Sequence, residues 1–275
     1  MKTLYQAIEA HGGKNAPYVL NHLGACGILD WQDCTKVNLT EFCDHLKNEV
    51  CQNSAKNYTA ILKAVLNRYK EAGVVPCADI KEALKCKGES SQKVYLNTEE
   101  LAMLEKLTPM TMNELFVKLC FLISAKTGMR VSDTLRVGED NIRDGVLTYV
   151  SQKTKVEASV PVSAKTEGWI AQVNKMEARP NIGTYELIIK RLCQRAGIDS
   201  RCRLFKAGKE RSIPKWEAVS SHTARVSFVT NALELGVPLI SVSRMAGHTN
   251  TAQTERYNAS RKVSIPKEAM AYFTK

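Results

Sequence analysis

Apolar side chains recur at intervals of three and four over much of the chain. Leu39, Phe42, Cys43 and Leu46 follow Asn38-Leu39-Thr40, and Tyr58, Ile61, Leu62, Val65, Leu66 and Tyr69 follow Asn53-Ser54. This spacing predicts amphipathic helices within a helical region over 1–88, with Gly73 ending the longer one. The opposite face of that helix carries Lys56, Asn57, Lys63 and Arg68. Lys87-Gly88-Glu89-Ser90-Ser91-Gln92 is polar and aperiodic, which suits a linker. Thr98-Glu99-Glu100 then signals a helix start before Leu101. Asn113 to Lys126 is strongly apolar, reads as the buried spine of a second domain, and is stopped by Gly128. Between Val146 and Val162 the period changes. Val146–Val150 and Val156–Val162 are rich in β-branched residues and flank a polar turn at Lys153-Thr154-Lys155. Helical patterns return over 184–195, 216–234, 238–245 and 251–257. The expected fold is mainly α with one small antiparallel β-sheet, in two domains, 1–88 and 93–275.

Charge narrows the partner. The 275 residues carry a net charge of +11, with a pI of about 9.2. Residues 1–93 hold 12 Lys and Arg against 10 Asp and Glu, whereas 94–275 hold 27 against 18. The basic excess favours a polyanion, either nucleic acid or an anionic membrane surface. No apolar run is long enough to span a bilayer, and the start, Met1-Lys2-Thr3-Leu4-Tyr5-Gln6, lacks a signal-peptide core. The nine cysteines include no Cys-x-x-Cys pair, and Cys26, Cys34, Cys43 and Cys51 do not have zinc-site spacing. They read as free thiols in a reducing cytoplasm. Gly12-Gly13-Lys14 lacks the flanking glycine and hydroxyl of a P-loop.

Candidate chemistry gathers near the C-terminus. His222-Thr223-Ala224-Arg225 puts an imidazole and a guanidinium three apart, hence on one helical face. Ser220 or Ser221 can cap that helix, which places His222 in its first turn. Gly247 suits a left-handed helix end and holds His248 at a turn; Asn250 or Thr251 can cap a short helix delivering Tyr257. Upstream, Arg130 lies between the Gly128 stop and a helix start at Ser132 or Asp133, and Lys153 lies at the hairpin tip. Taken singly these are ordinary: a surface histidine, a packed tyrosine, an Arg130–Asp133 surface ion pair, a solvated turn lysine. Taken together they can break a phosphodiester without a metal. Guanidinium forks hold phosphate oxygens, and a phenol can accept the phosphoryl group covalently.

In order and spacing, Arg130, Lys153, His222-x-x-Arg225, Gly247-His248 and Tyr257 resemble the tyrosine recombinase family of the phage-integrase type. Their neighbours agree: Thr127-Gly128-Met129-Arg130, Lys153-Thr154 before Val160-Pro161-Val162, and Leu235-Gly236-Val237-Pro238. The resemblance covers 93–275. Over 1–88 only a helical, lysine-bearing layout fits the family's core-binding domain. It implies a site-specific DNA recombinase, carried by a mobile element, that works through a 3′-phosphotyrosyl intermediate without metal, ATP or other cofactor. Tyr257 would be the nucleophile, Arg130 and Arg225 the phosphate clamps, and Lys153 the acid for the leaving 5′-oxygen. His222 would move the phenol proton, and His248 would donate to the phosphate. The implied partners are duplex DNA with inverted-repeat core sites, touched by Lys56, Asn57, Lys63 and Lys155, and three further copies. The tail, 258–275, with a helix start at Ser264-Ile265-Pro266, would dock on a neighbour in the tetramer. No extra N-terminal domain is expected. Two other readings share these residues: a monomeric type IB topoisomerase-like enzyme, whose signature usually lacks the first histidine, and a non-catalytic DNA-binding protein.

Overall fold

The structure, a computed structural model, describes residues 2–88, 93–206 and 209–258, and their side chains except at 205, 206, 209, 210 and 256–258. The expected tail helix lies outside the described residues. Two compact units divide the chain, one of residues 1–91 with 205–210, the other of the remainder.

The first unit is helical: α1 (Leu4–Gly12), α2 (Ala16–Ala25), α3 (Lys36–Glu49), α4 (Gln52–Lys70) and α5 (Ile80–Ala83). Leu4, Ile8, Leu23, Leu39, Phe42, Leu46, Leu62 and Leu66 form its core. The helical spacing places these residues on inward faces. Two helices begin earlier than the pattern predicts. Thr35 caps α3 by accepting from the Asn38 N–H, and Asn38 turns its amide to the Asp33 carbonyl at 2.8 Å. Cys51, in extended conformation, precedes α4, so Asn53 and Ser54 lie inside the helix.

The second unit is built on α7 (Met112–Thr127), which follows α6 (Thr98–Lys106). Thr111 caps α7, and Phe116, Val117, Cys120, Phe121, Leu122 and Ile123 are buried along it. Burying each large side chain contributes about 1.5–3 kcal/mol, gross. After α8 (Val131–Thr134), β1 (Ile142–Arg143), β2 (Val146–Val150) and β3 (Glu157–Pro161) form an antiparallel sheet in chain order. Leu147 pairs with Val160 and Tyr149 with Ala158, and all four face the core. Then come α9 (Ala164–Lys175), α10 (Ile182–Arg195), β4 (Arg201–Lys206), β5 (Lys209–Pro214), α11 (Lys215–Ala218), α12 (Thr223–Glu234), α13 (Leu239–Met245) and α14 (Thr251–Asn258). Helices α9, α10 and α12 pack on α7.

The expected mainly α architecture is present, with three corrections. A second, two-stranded sheet, β4–β5, accompanies the expected one. Its strands are charged and lack the β-branched alternation that marks β2 and β3. The single helix expected over 216–234 is two, α11 and α12. Between them the Ser220 N–H donates to Thr223 Oγ1 at 3.0 Å, and the Ser220 carbonyl accepts from the Thr223 N–H. That local ring starts α12 at Thr223 and leaves His222 at the N-cap, not in the first turn. The helix expected to open at Ser132 or Asp133 is the one-turn α8, with Arg130 at its N-cap.

Candidate active site

Arg130 leaves the end of α7 through Gly128, whose left-handed backbone (φ 73°) turns the chain. Its guanidinium Nη1 donates to Ser151 Oγ at 2.8 Å and lies 4.0 Å from Asp133 Oδ2. The expected surface ion pair is therefore largely internal, since Asp133 is 2% exposed. Asp133 in turn accepts from Ser151 Oγ at 3.1 Å and from the Gln152 N–H at 2.9 Å. Both oxygens of one buried carboxylate thus hold the start of the turn that carries Lys153, which is itself exposed. Farther along this turn, Thr154 Oγ1 donates to the Gly247 carbonyl at 3.4 Å.

Arg225 lies on the first turn of α12 and is 1% exposed. Its Nη1 donates to the Gly128 carbonyl at 2.7 Å. The two arginines are therefore tied to neighbouring points of one short segment, Gly128–Arg130. His222, exposed at the same end of α12, completes the His-x-x-Arg pair. His248 follows the left-handed Gly247 (φ 62°) and is buried. Its Nδ1 lies 2.7 Å from the hydroxyl of Thr254, which is fully buried. When the hydroxyl donates to Nδ1, the ring proton sits on Nε2, the form that can donate to an anion. Asn250 caps the last helix by accepting from the Gln253 N–H at 3.1 Å. Tyr257 belongs to α14, which packs on α12 and α13; its side chain lies outside the described ones.

Electrostatics bind these groups into one site. Loss of surrounding water lowers the His222 pKa, and Lys93, Arg225, Arg130 and Lys153 push it further down, to about 4. His248 falls to about 3, through burial first and then Arg225, Arg130, Lys93 and His222. Burial raises the Tyr149 phenol to about 12 while Arg225 and Arg130 pull it back. Both arginines, Lys153 and both histidines therefore share one neighbourhood with surplus positive charge, suited to an anion. Neutral imidazoles can accept a proton as well as donate a hydrogen bond.

Three supporting residues escape the sequence reading, Ser151, Thr254 and Lys93, and Asp133 enters it only as a helix start and a surface partner of Arg130. The Leu96 N–H donates to Ser227 Oγ at 2.8 Å and the Leu96 carbonyl accepts from Asn231 at 3.0 Å, laying this segment parallel to α12. Lys93 consequently lies toward the His222 end. No motif marks these residues; their roles arise from contacts across distant parts of the chain.

Of the expected DNA-contacting residues, Lys56, Asn57 and Lys155 are exposed and Lys63 is half-buried. Lys56 and Lys63 line an open groove of about 370 Å³ on the first unit, with Thr59, Asn67, Leu84 and Cys86 among its walls. Lys155 has a left-handed backbone (φ 57°) in the turn beyond Lys153. Among the described residues, no helix is long and apolar enough to cross a membrane.

The chain is similar to several integrases. The chain is 26% identical over 232 residues to the integrase of Escherichia phage P2, covering 81% of this chain and 60% of that protein. It therefore spans about 60% of the length of this relative. The structure of the Tn1549 transposon integrase in complex with a circular intermediate DNA superposes with a TM-score of 0.71 at 13% identity, covering 100% of this chain and 99% of that one. A lambda integrase tetramer bound to a Holliday junction gives 0.67 at 15% identity, covering 97% and 81%. These likenesses show the fold. The sequence model of the phage integrase family matches residues 95–263, which span both arginines, both histidines and Tyr257, and so the chain belongs to that family.

Proposed function

We propose that this protein is a site-specific DNA recombinase that cuts and rejoins strands through a 3′-phosphotyrosyl intermediate. One observation carries the reading. Arg225 is tied to the Gly128 carbonyl, two residues before Arg130; Arg130, Arg225 and Lys153 all act on His222; and α14, which bears Tyr257, packs against α12 and α13. The Tyr257 oxygen attacks the phosphorus and the P–O bond to the 5′-carbon side breaks. The phenol proton passes to His222, neutral at physiological pH, while the Lys153 ammonium protonates the departing 5′-oxygen. Arg130 and Arg225 hold the non-bridging oxygens as charge builds on them, and His248 donates from Nε2. Attack by a partner strand's 5′-hydroxyl on the phosphotyrosine reverses each transfer and conserves the bond.

In this reading residues 1–88 form the core-binding domain and 93–275 the catalytic domain. Lys56, Asn57, Lys63 and Lys155 contact phosphates, and most affinity comes from such contacts. Core sites arranged as inverted repeats recruit the copies that assemble as a tetramer, as lambda integrase does on a Holliday junction. The tail beyond Asn258 docks on a neighbouring copy. The test is covalent trapping on nicked duplexes drawn from a randomised pool. Wild-type protein should become linked to DNA, whereas Tyr257→Phe should bind DNA and form no adduct. Adducts formed equally by Tyr257→Phe would refute the nucleophile assignment.

A further inference from the structure

We propose that Ser151 is a positioning residue whose hydroxyl couples Arg130 to the turn carrying Lys153, so that one phosphate meets both groups at once. This rests on the recombinase reading above.

Ser151 is 0% exposed and bonds in two directions. Its Oγ accepts from Arg130 Nη1 at 2.8 Å and donates to Asp133 Oδ2 at 3.1 Å. A hydroxyl has one proton and two lone pairs, and a guanidinium can only donate while a carboxylate can only accept. The order Arg130 to Ser151 to Asp133 is therefore the only one these groups allow. The direct Arg130–Asp133 separation of 4.0 Å is too long for a hydrogen bond, so the hydroxyl is the bridge.

The backbone of the same residue closes the turn. The Ser151 N–H donates to the Val156 carbonyl at 2.9 Å, and the Ser151 carbonyl accepts from the Lys155 N–H at 2.8 Å. The second Asp133 oxygen accepts from the Gln152 N–H at 2.9 Å. Lys153 is the next residue. Moving Arg130 relative to this turn requires breaking the serine bridge, and releasing the turn removes a partner from Arg130. A serine that merely filled space would need neither bond.

The discriminating experiment separates the acid from the clamp. A nicked duplex captured by the wild-type protein from the randomised pool is remade with its scissile 5′-bridging oxygen or with sulfur there. A thiolate leaves without protonation, because its conjugate acid is far stronger than an alcohol, so cleavage of the sulfur duplex does not depend on Lys153. Ser151→Ala should cleave the oxygen duplex about 10- to 100-fold more slowly, through misplacement of Lys153. Its affinity for DNA should be unchanged, and on the sulfur duplex it should recover the share of the rate that Lys153 supplies, so its defect there should be clearly smaller than on oxygen. An unchanged rate on oxygen, or an equal defect on both duplexes, would overturn the proposal. If Ser151→Ala melts below the assay temperature, Ser151→Cys, similar in size and a weak donor, is read against the same two outcomes. If wild-type protein captures no DNA beyond what Tyr257→Phe captures, the recombinase reading itself fails and this inference falls with it. If capture succeeds and the sulfur duplex brings no recovery, the inference alone falls.

Discussion

Replacing Gly128 by alanine tests the joint that sets both arginines. Gly128 has φ 73°, and a Cβ built there would lie 2.6 Å from the Phe228 ring, well inside any real contact. Two costs follow. An L-residue in the left-handed region costs roughly 1–2 kcal/mol. Overpacking against the ring adds about 1–3 kcal/mol, depending on how far half-buried Phe228 can shift. The sum is about 2–5 kcal/mol. Unfolding a unit the size of residues 93–275 carries an entropy of roughly 0.4 kcal/mol/K, so calorimetry should show Tm lower by about 5–13 °C. The cycle Gly128→Ala, Phe228→Ala and the double variant isolates the steric share, which should appear as a coupling of about 1 kcal/mol or more. Because the Gly128 carbonyl holds Arg225 Nη1, covalent adduct formation should also slow in the alanine variant. A Tm within about 2 °C of wild type, or no coupling with Phe228, would refute the account of this joint.

Arg130→Ala and Arg225→Ala should each lose about 2–4 kcal/mol of transition-state stabilisation, or about 30- to 900-fold in the single-turnover rate of adduct formation. Stability should depend on pH through His248. Its folded-state pKa, about 3, lies below the ordinary 6.5, so the unfolded chain takes the proton first. Stability is then complete above about pH 7 and falls as pH drops through 6.5 toward 3, by about 2 kcal/mol at pH 5. Melting curves across that range should be flatter for His248→Gln. Replacing Lys56 and Lys63 together by alanine should reduce the slope of log affinity against log salt by about 2, as measured by fluorescence anisotropy on duplex DNA.

What could be read in the sequence follows from how local each feature is. The apolar run of α7 and the β-branched runs of β2 and β3 set their own period, and β2 matches the expected strand residue for residue. Helix α9 buries only Thr166, Ile170 and Val173 among its twelve residues, a stripe with just two apolar side chains, too thin to announce it. The β4–β5 strands are too charged to alternate. At the site, the residues proposed to meet the phosphate could be picked out because their order along the chain is distinctive. Their supports could not be, because each acts at long range: Ser151 on Asp133 across 18 residues, Thr154 on Gly247 across 93, Arg225 on Gly128 across 97. Serine, threonine and aspartate are common, and nothing in their local context separates a buried bridge from a solvated loop residue.

The same supports explain how a cluster of cations is held in place. Arg225 is buried, and a buried guanidinium is tolerated only when its donors are met by oriented acceptors. The Gly128 carbonyl is one such acceptor, and its direction is set by the backbone turn at Gly128. Asp133 supplies a carboxylate beside Arg130, at 4.0 Å, and it spends its hydrogen bonds on Ser151 and Gln152. The site therefore keeps its geometry and a positive surplus together. A positive surplus at the site favours an entering anion, and favours most the species with the greatest negative charge on its non-bridging oxygens. In phosphoryl transfer to a phenol, that species is the five-coordinate transition state. In the recombinase reading, the residues that orient the arginines thus contribute to rate as well as to folding, and this is why their removal should slow cleavage without weakening the binding of DNA.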